Sequence, residues 1–397
     1  MELAHDTPIT VEHIEPSQRY LRIAVVTETW PPEINGVAVT LSKLIQQLGS
    51  RHHTIQLIRP RQDKFDSGKE NDGWSELLLK GLPIPKYPQL KLGLPSKKAL
   101  LQAWSTKRPD LVHIATEGPL GWSALQAAKI LRLPVTSDFR TNFHSYCQHY
   151  GVGWLTKPIV AYLRKFHNRT DCTMVPTQSM KQQLEAYGFK NLKVVARGID
   201  TTLFHPDKRS ELMRESWGAT SATTVLLSVG RLAAEKNLSL TIETYQTLKA
   251  AGRDVKMVFA GDGPMRAATQ IKCPEAIFMG MCSHEQLAIL YASADVLLFP
   301  SLTETFGNVT LEAMSSATPV LAFDCAAASD FIVNQSNGWL IDSAQPKAYI
   351  QRALEITQDP STLHQARSLT RASIEHLGWC AIAQQVENIF QSAIENN

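Results

Sequence analysis

Leu21 to Thr27 (LRIAVVT) is an almost unbroken apolar run, and Val37 to Leu48 behind it returns apolar residues at helical spacing. The first is too short and too β-branched for a helix, so the pair predicts a buried strand followed by a helix. The alternation repeats. Thr54–Ile58, Asp110–Ile114, Val135–Ser137, Cys172–Val175 and Lys193–Ala196 read as strands, with Gly121–Leu131 as a helix among them. Strands that are apolar throughout, rather than at every second position, predict a parallel sheet covered on both faces.

The pattern then breaks and restarts. His205–Trp217 (HPDKRSELMRESW) is charged, contains Pro206 and reads as a linker running into a short helix. Beyond it Thr224–Val229, Val255–Ala260, Ala276–Met279, Val296–Phe299, Val320–Ala322 and Trp339–Ile341 read as strands, and Leu238–Ala250 as a helix. Two such series predict an α/β chain of two doubly wound domains facing across a cleft, 18–205 and 206–377. Ligands of these sheets bind beyond the carboxyl ends of the strands. Gly378–Phe390 (GWCAIAQQVENIF) reads as an amphipathic helix.

Composition narrows the class without naming a chemistry. The 397 residues carry 40 Lys and Arg against 37 Asp and Glu. The net charge of +3 excludes a strongly basic nucleic-acid binder and an acidic tail protein. The 21 Gly and 21 Pro exclude collagen-like and low-complexity chains. Cys147, Cys172, Cys273, Cys282, Cys325 and Cys380 form no C-x-x-C pair and are expected to be reduced thiols of a cytosolic protein. No run of 18 apolar residues exists to span a bilayer. Met1–Ser17 is polar and acidic, unlike a signal peptide, and residues 1–17 are expected to be a disordered lead-in. The N-x-S/T matches at Asn168, Asn237 and Asn308 are not expected to carry sugar.

Four loops behind strands hold the candidate chemistry. Thr27–Thr40 (TETWPPEINGVAVT) sets Gly36 at a helix start, where backbone N–H groups can approach an anion, although a plain strand-to-helix turn reads the same way. Val229–Asn237 (VGRLAAEKN) offers Arg231 as a fork for phosphate oxygens and Lys236 as a point charge, or simply two solvated cations. Gly261–Pro264 (GDGP) is a turn whose place behind a strand is its one functional hint. Pro300–Met314 (PSLTETFGNVTLEAM) is the most specific. Glu304 lies in the loop and Glu312 in the helix, with seven residues and a glycine-bearing helix start between them. That arrangement can cradle a diphosphate on N–H groups while the carboxylates grip sugar hydroxyls.

Taken together, E-x7-E with Phe-Gly inside it, G-R-L-x-x-E-K-N, G-D-G-P and E-T-W-P-P-E-x-N-G-V resemble the family-4 retaining glycosyltransferases of GT-B fold. The resemblance runs from about Leu21 to the C-terminus. TETWPPEINGVAVTL, DFRTNFHSYCQHYG and YLRKFHNRTDCTMVPT resemble the branch of GDP-mannose-dependent alpha-mannosyltransferases and glycolipid and sulfolipid synthases.

The resemblance implies two Rossmann-like domains, with the last helix (378–397) crossing back to the first. The first would bind the acceptor and the second the nucleotide-sugar. It implies that Gly36 lies against the donor diphosphate, which Arg231 and Lys236 neutralise. Glu304 holds the transferred sugar, with Phe306, Gly307, Asn308 and Val309 around sugar and phosphate. Glu312 takes the ribose hydroxyls. Gly263 borders the donor, and Gly280–His284, including Cys282, edges the base. One departure stands out: the family's histidine before a threonine is Arg140 here, a candidate for the sugar or for an acidic group. His144 is an acceptor-side candidate, and a structural histidine fits it equally well. Glu117, in TEGPLG, is expected to line the acceptor pocket.

No D-x-D acid pair is evident, so no metal and no cofactor are expected; the cations and helix starts supply the positive potential. The resemblance implies retention by front-face attack, and supplies no paired carboxylates of the hydrolase kind. Lys80–Trp104 carries five lysines among Leu, Tyr, Ile and Trp, and Trp154–Arg169 adds more cations. Such stretches suit an anionic membrane surface or a solvated helix face. The expected activity is hexose transfer from GDP-mannose to a lipid or glycan acceptor, by a cytoplasmic protein peripheral to the inner membrane face. A UDP-sugar-dependent glycolipid synthase and a nucleotide-sugar 2-epimerase are the alternatives.

Overall fold

The computed structural model describes residues 20–31, 33, 36–84, 87–139, 156–304 and 306–397. The first series of strands is β1 (Arg22–Val26), β2 (Thr54–Pro60), β3 (Glu70–Asn71), β4 (Trp74–Leu79), β5 (Gly81–Ile84), β6 (Tyr87–Gly93), β7 (Leu111–Ile114), β8 (Val135–Asp138), β9 (Cys172–Val175) and β10 (Leu192–Val194). Eight of them form one sheet in the order β10-β9-β8-β7-β1-β2-β4-β3. All pairs in it are parallel except β3 with β4. β5 and β6 make a separate antiparallel hairpin.

The second series is β11 (Thr224–Val229), β12 (Val255–Ala260), β13 (Ile277–Gly280), β14 (Val296–Phe299), β15 (Val320–Phe323) and β16 (Gly338–Ile341). They form an all-parallel sheet in the order β13-β12-β11-β14-β15-β16. This is the doubly wound order, in which the winding reverses at the first strand. The central strands β7, β8, β9 and β14 are buried at every position, which is why their sequences lack alternation.

The linker contains the short turn Pro206–Lys208 and the helix Glu211–Ser216. The final helix, Trp379–Glu395, crosses back onto the first sheet's side. There Glu387, 1% exposed, pairs with Arg51 at 2.7 Å and lies 3.4 Å from His53 Nε2. Gln385 Nε2 donates to the Val194 carbonyl at 3.0 Å. The Lys80–Trp104 stretch is one hairpin and then a helix, Lys97–Thr106. Among the described residues no helix is long and apolar enough to cross a membrane. Cys172, Cys273, Cys282, Cys325 and Cys380 are free.

Candidate active site

Among its described parallel strands each sheet has one point at which the strand order reverses, between β1 and β7 and between β11 and β14. The loops behind those strands diverge and leave a crevice. The second crevice is built from the three loops 230–237, 261–264 and 300–307. Two are keyed together by backbone. Leu232 N donates to Asp262 O at 2.9 Å, and Gly261 holds φ 131, where a Cβ would stand 2.0 Å from Gly230 O. A Cβ on Gly263 would stand 2.5 Å from Leu232 O. Glycine in G-D-G-P therefore permits close approach to the G-R-L loop.

Ala234–Lys236 is a single tight turn, ended by Asn237 with φ 51. It delivers Lys236 Nζ to the Glu304 carboxylate and 5.3 Å above the Phe299 ring. Both partners are mostly buried, with side chains 21% and 13% exposed. Arg231 is exposed and pairs with no acid among the described residues. Gly307 adopts φ 87 and starts the helix Asn308–Ser315, whose first turn holds no acid and receives no side-chain cap. Its N–H groups and dipole thus present positive potential beside the Lys236–Glu304 pair. Val309 packs on the core, and Phe306, 1% exposed, anchors the loop against Phe331.

Glu312 lies one turn along. Its Oε2 accepts from the Tyr291 hydroxyl at 2.9 Å. Burial pushes its carboxyl up; the Tyr291 bond and nearby His284 oppose this. Burial likewise raises the Cys282 thiol, whose Sγ donates to Gly280 O at 3.5 Å.

The first crevice brings a residue that sequence reasoning missed. Arg197 Nη1 donates to Asn308 Oδ1 at 3.2 Å, and its guanidinium covers the Phe306 ring at 5.4 Å. A Cβ on Gly36 would stand 3.3 Å from the same Nη1. Two helix starts from different sheets, Gly36 and Asn308, thus meet around one arginine. Its one sequence signal was a place just beyond β10; a lone arginine in VVARGID has no telling spacing.

Glu28 and Glu117 end β1 and β7. Glu28 Oε1 accepts from Leu120 N at 3.0 Å. Burial pushes its carboxyl up to about 7, Glu117 adds to the rise, and the Leu120 and Gly93 N–H groups oppose it. Glu117 is 9% exposed, and its Oε1 has no hydrogen-bond partner. It stands 3.9 Å from His167 Nε2, which is also unpartnered and fully buried. His167, too, was missed; it reads as one more polar residue of a helix end. Arg140 and His144 lie outside the described residues.

Residues 209–373 match the family "Glycosyl transferases group 1" and residues 34–203 match "Glycosyltransferase Family 4". A GDP-mannose-dependent alpha-mannosyltransferase of Mycolicibacterium smegmatis is 32% identical over 326 residues, covering 81% of this chain and 84% of that one. The chain belongs to the group 1, family 4 glycosyltransferases. A Corynebacterium glutamicum protein of the same name is 29% identical to this glycosyltransferase, covering 93% of it and 88% of the relative. The alpha-monoglucosyldiacylglycerol synthase of Streptococcus pneumoniae is 27% identical, covering 95% and 87%. In fold, the glycosyltransferase is similar to Anabaena HepE, solved with UDP, at a TM-score of 0.74 and 17% identity, covering 94% of this chain and all of that one. Both domains follow the GT-B architecture.

Proposed function

We propose that this glycosyltransferase moves mannose from GDP-mannose to a lipid or glycolipid at the cytoplasmic membrane face, retaining the anomeric configuration and needing no metal ion. The observation that carries the donor half is the Lys236–Glu304 pair set against the uncapped helix start at Gly307–Asn308. A cation for phosphate and a carboxylate for sugar hydroxyls are held together where a diphosphate would meet a helix N-terminus. Binding exchanges partners: Lys236 and Arg231 turn to the diphosphate, Glu304 to the hexose, Glu312 to the ribose. The mannosyltransferase names of two relatives support mannose; the diacylglycerol synthase supports a lipid acceptor.

In the transfer, the acceptor hydroxyl oxygen bonds to the anomeric carbon as the bond from that carbon to the β-phosphate oxygen breaks. The acceptor's proton passes to the leaving phosphate oxygen on the same face, and the nucleoside diphosphate departs. Negative charge grows on that phosphate, where Arg231, Lys236 and the helix start stabilise it. Full activity in EDTA is the expected outcome; loss restored by a divalent cation would contradict it.

A second reading, a UDP-sugar-dependent glycolipid synthase, is favoured by the Streptococcus relative, which covers 95% of the chain. Thermal unfolding with GDP, UDP and ADP separates the two, because a ligand that binds the native state alone raises its stability. GDP should give the largest rise. A rise with UDP and none with GDP would overturn the mannose reading in favour of the second.

A further inference from the structure

The donor chemistry leaves a buried carboxylate and a buried imidazole unused. Glu117 stands just beyond β7, beside the point where the first sheet's strand order reverses. Its Oε1 and the Nε2 of His167 lie 3.9 Å apart, and neither has a hydrogen-bond partner among the described residues. Glu117 is 9% exposed and His167 fully buried. The gap is too long for a hydrogen bond, and a buried polar atom without a partner is costly.

His167 is fixed in its place. It ends the helix Thr156–His167, and Phe139, Phe166 and Phe189 surround its ring at centroid distances of 5.3, 5.1 and 6.0 Å. Its Nδ1 lies 3.0 Å from the Ser137 hydroxyl, which also meets the hydroxyls of Thr170 and Thr173 at 3.1 and 3.0 Å. With Nδ1 accepting from Ser137, the ring proton sits on Nε2, on the Glu117 side. The Glu117 backbone is anchored too, since its carbonyl accepts from the Tyr162 hydroxyl at 2.6 Å. Neighbouring Glu28 is engaged elsewhere. Its Oε1 accepts from Leu120 N at 3.0 Å, and a Cβ on Gly118 would stand 2.2 Å from its Oε2. Glu117 alone of the two has a buried oxygen that nothing engages.

A carboxylate braced by an imidazole N–H accepts hydrogen bonds and repels a phosphate, so it suits a hydroxyl. That hydroxyl is not the reacting one, whose proton passes to the leaving phosphate. It belongs to a neighbouring carbon of the same head. We propose that Glu117, positioned by His167, accepts a hydrogen bond from a second hydroxyl of the acceptor, so that the enzyme selects a head with adjacent hydroxyls, a glycerol or a sugar. This rests on the reading of the first crevice as the acceptor side, and adds the class of head and the residues that recognise it. Acceptor binding draws Glu117 onto His167 Nε2, closing the gap and engaging both buried atoms.

The test compares two probes on the full chain, with and without GDP, by saturation-transfer NMR titration. Glycerol monooctyl ether has adjacent hydroxyls; ethylene glycol monooctyl ether has one. The diol should bind about twentyfold more tightly, as one hydrogen bond to a charged group implies. Glu117→Gln and His167→Leu should each bring the two affinities together, while His167→Gln, which keeps an N–H donor, should retain most of the preference. Equal affinities in the unaltered chain, no binding of the diol, or a preference that survives Glu117→Gln would overturn the site. A preference that survives His167→Leu would overturn the positioning role; if that variant fails to fold by circular dichroism, the near-isosteric Glu117→Gln decides. Transfer from GDP-mannose to the diol is measured on the same samples. Its absence with the binding preference intact would count against the donor reading and leave the acceptor site standing.

Discussion

Lys236 and Glu304 neutralise each other across the crevice, so each substitution has two consequences. Lys236→Ala removes a phosphate cation and leaves a partly buried carboxylate without its partner. Nucleoside diphosphate affinity should fall about thirtyfold by calorimetry, from the loss of about 2 kcal/mol of charge-assisted hydrogen bonding; unchanged affinity would remove Lys236 from the phosphate site. Glu304→Ala should lower turnover at least about a hundredfold, because the sugar loses its orienting contact, while the nucleotide-induced thermal rise persists. Glu28 makes a different forecast. Its folded-state pKa of about 7 stands above the ordinary 4.5. The native state therefore holds a proton that the unfolded chain has released, and the stability this gives is present in full below pH 4.5 and lost as pH rises through 7. Glu28→Gln should flatten the stability profile by up to about 1.4 kcal/mol per pH unit in that window; an unchanged profile in chemical denaturation would refute it.

At the scale of elements, the glycines of G-D-G-P matter as backbone. Gly261→Ala would place a methyl group 2.0 Å from Gly230 O at a φ of 131. The expected loss is about 3 kcal/mol, read as a lower melting temperature; an unchanged melting temperature would mean that the loops are not keyed together. The sequence was most legible where burial is nearly complete. Thr224–Val229, Val255–Ala260 and Val296–Phe299 have the bounds their apolar runs predict, because a strand covered on both faces is apolar at most of its positions. Glu70 to Gly93 was least legible. Its strands lie at or next to an edge or in a hairpin, Pro83 interrupts one, and Trp74–Leu79 is half-buried at every position, so the pattern carries no signal there. Among site residues, those within motifs were readable. Arg197 and His167 were not, since their importance comes from what other segments bring beside them.

Across the whole molecule, the net charge of +3 averages cations gathered at separate places. Lys80, Lys97, Lys98 and Arg169 lie around a groove on the first domain, while Arg231 and Lys236 stand at the second crevice. Arg197, just beyond the first sheet, reaches Asn308 on the second, and the last helix ties the chain back through Glu387 to Arg51. Glu387→Ala should strand Arg51 and His53 and cost about 3 kcal/mol in denaturant unfolding; a change below the error of the fit would show that the helix is held by its apolar face alone. The central claim, that the two crevices pass a hexose from nucleotide to lipid, is tested most directly by incubating the protein with radiolabelled GDP-mannose, anionic lipid vesicles and EDTA, and measuring label in the organic phase. The account predicts labelled lipid from the unaltered protein and almost none from Glu304→Ala. No labelled lipid from the unaltered protein, or equal labelling by both, would contradict it.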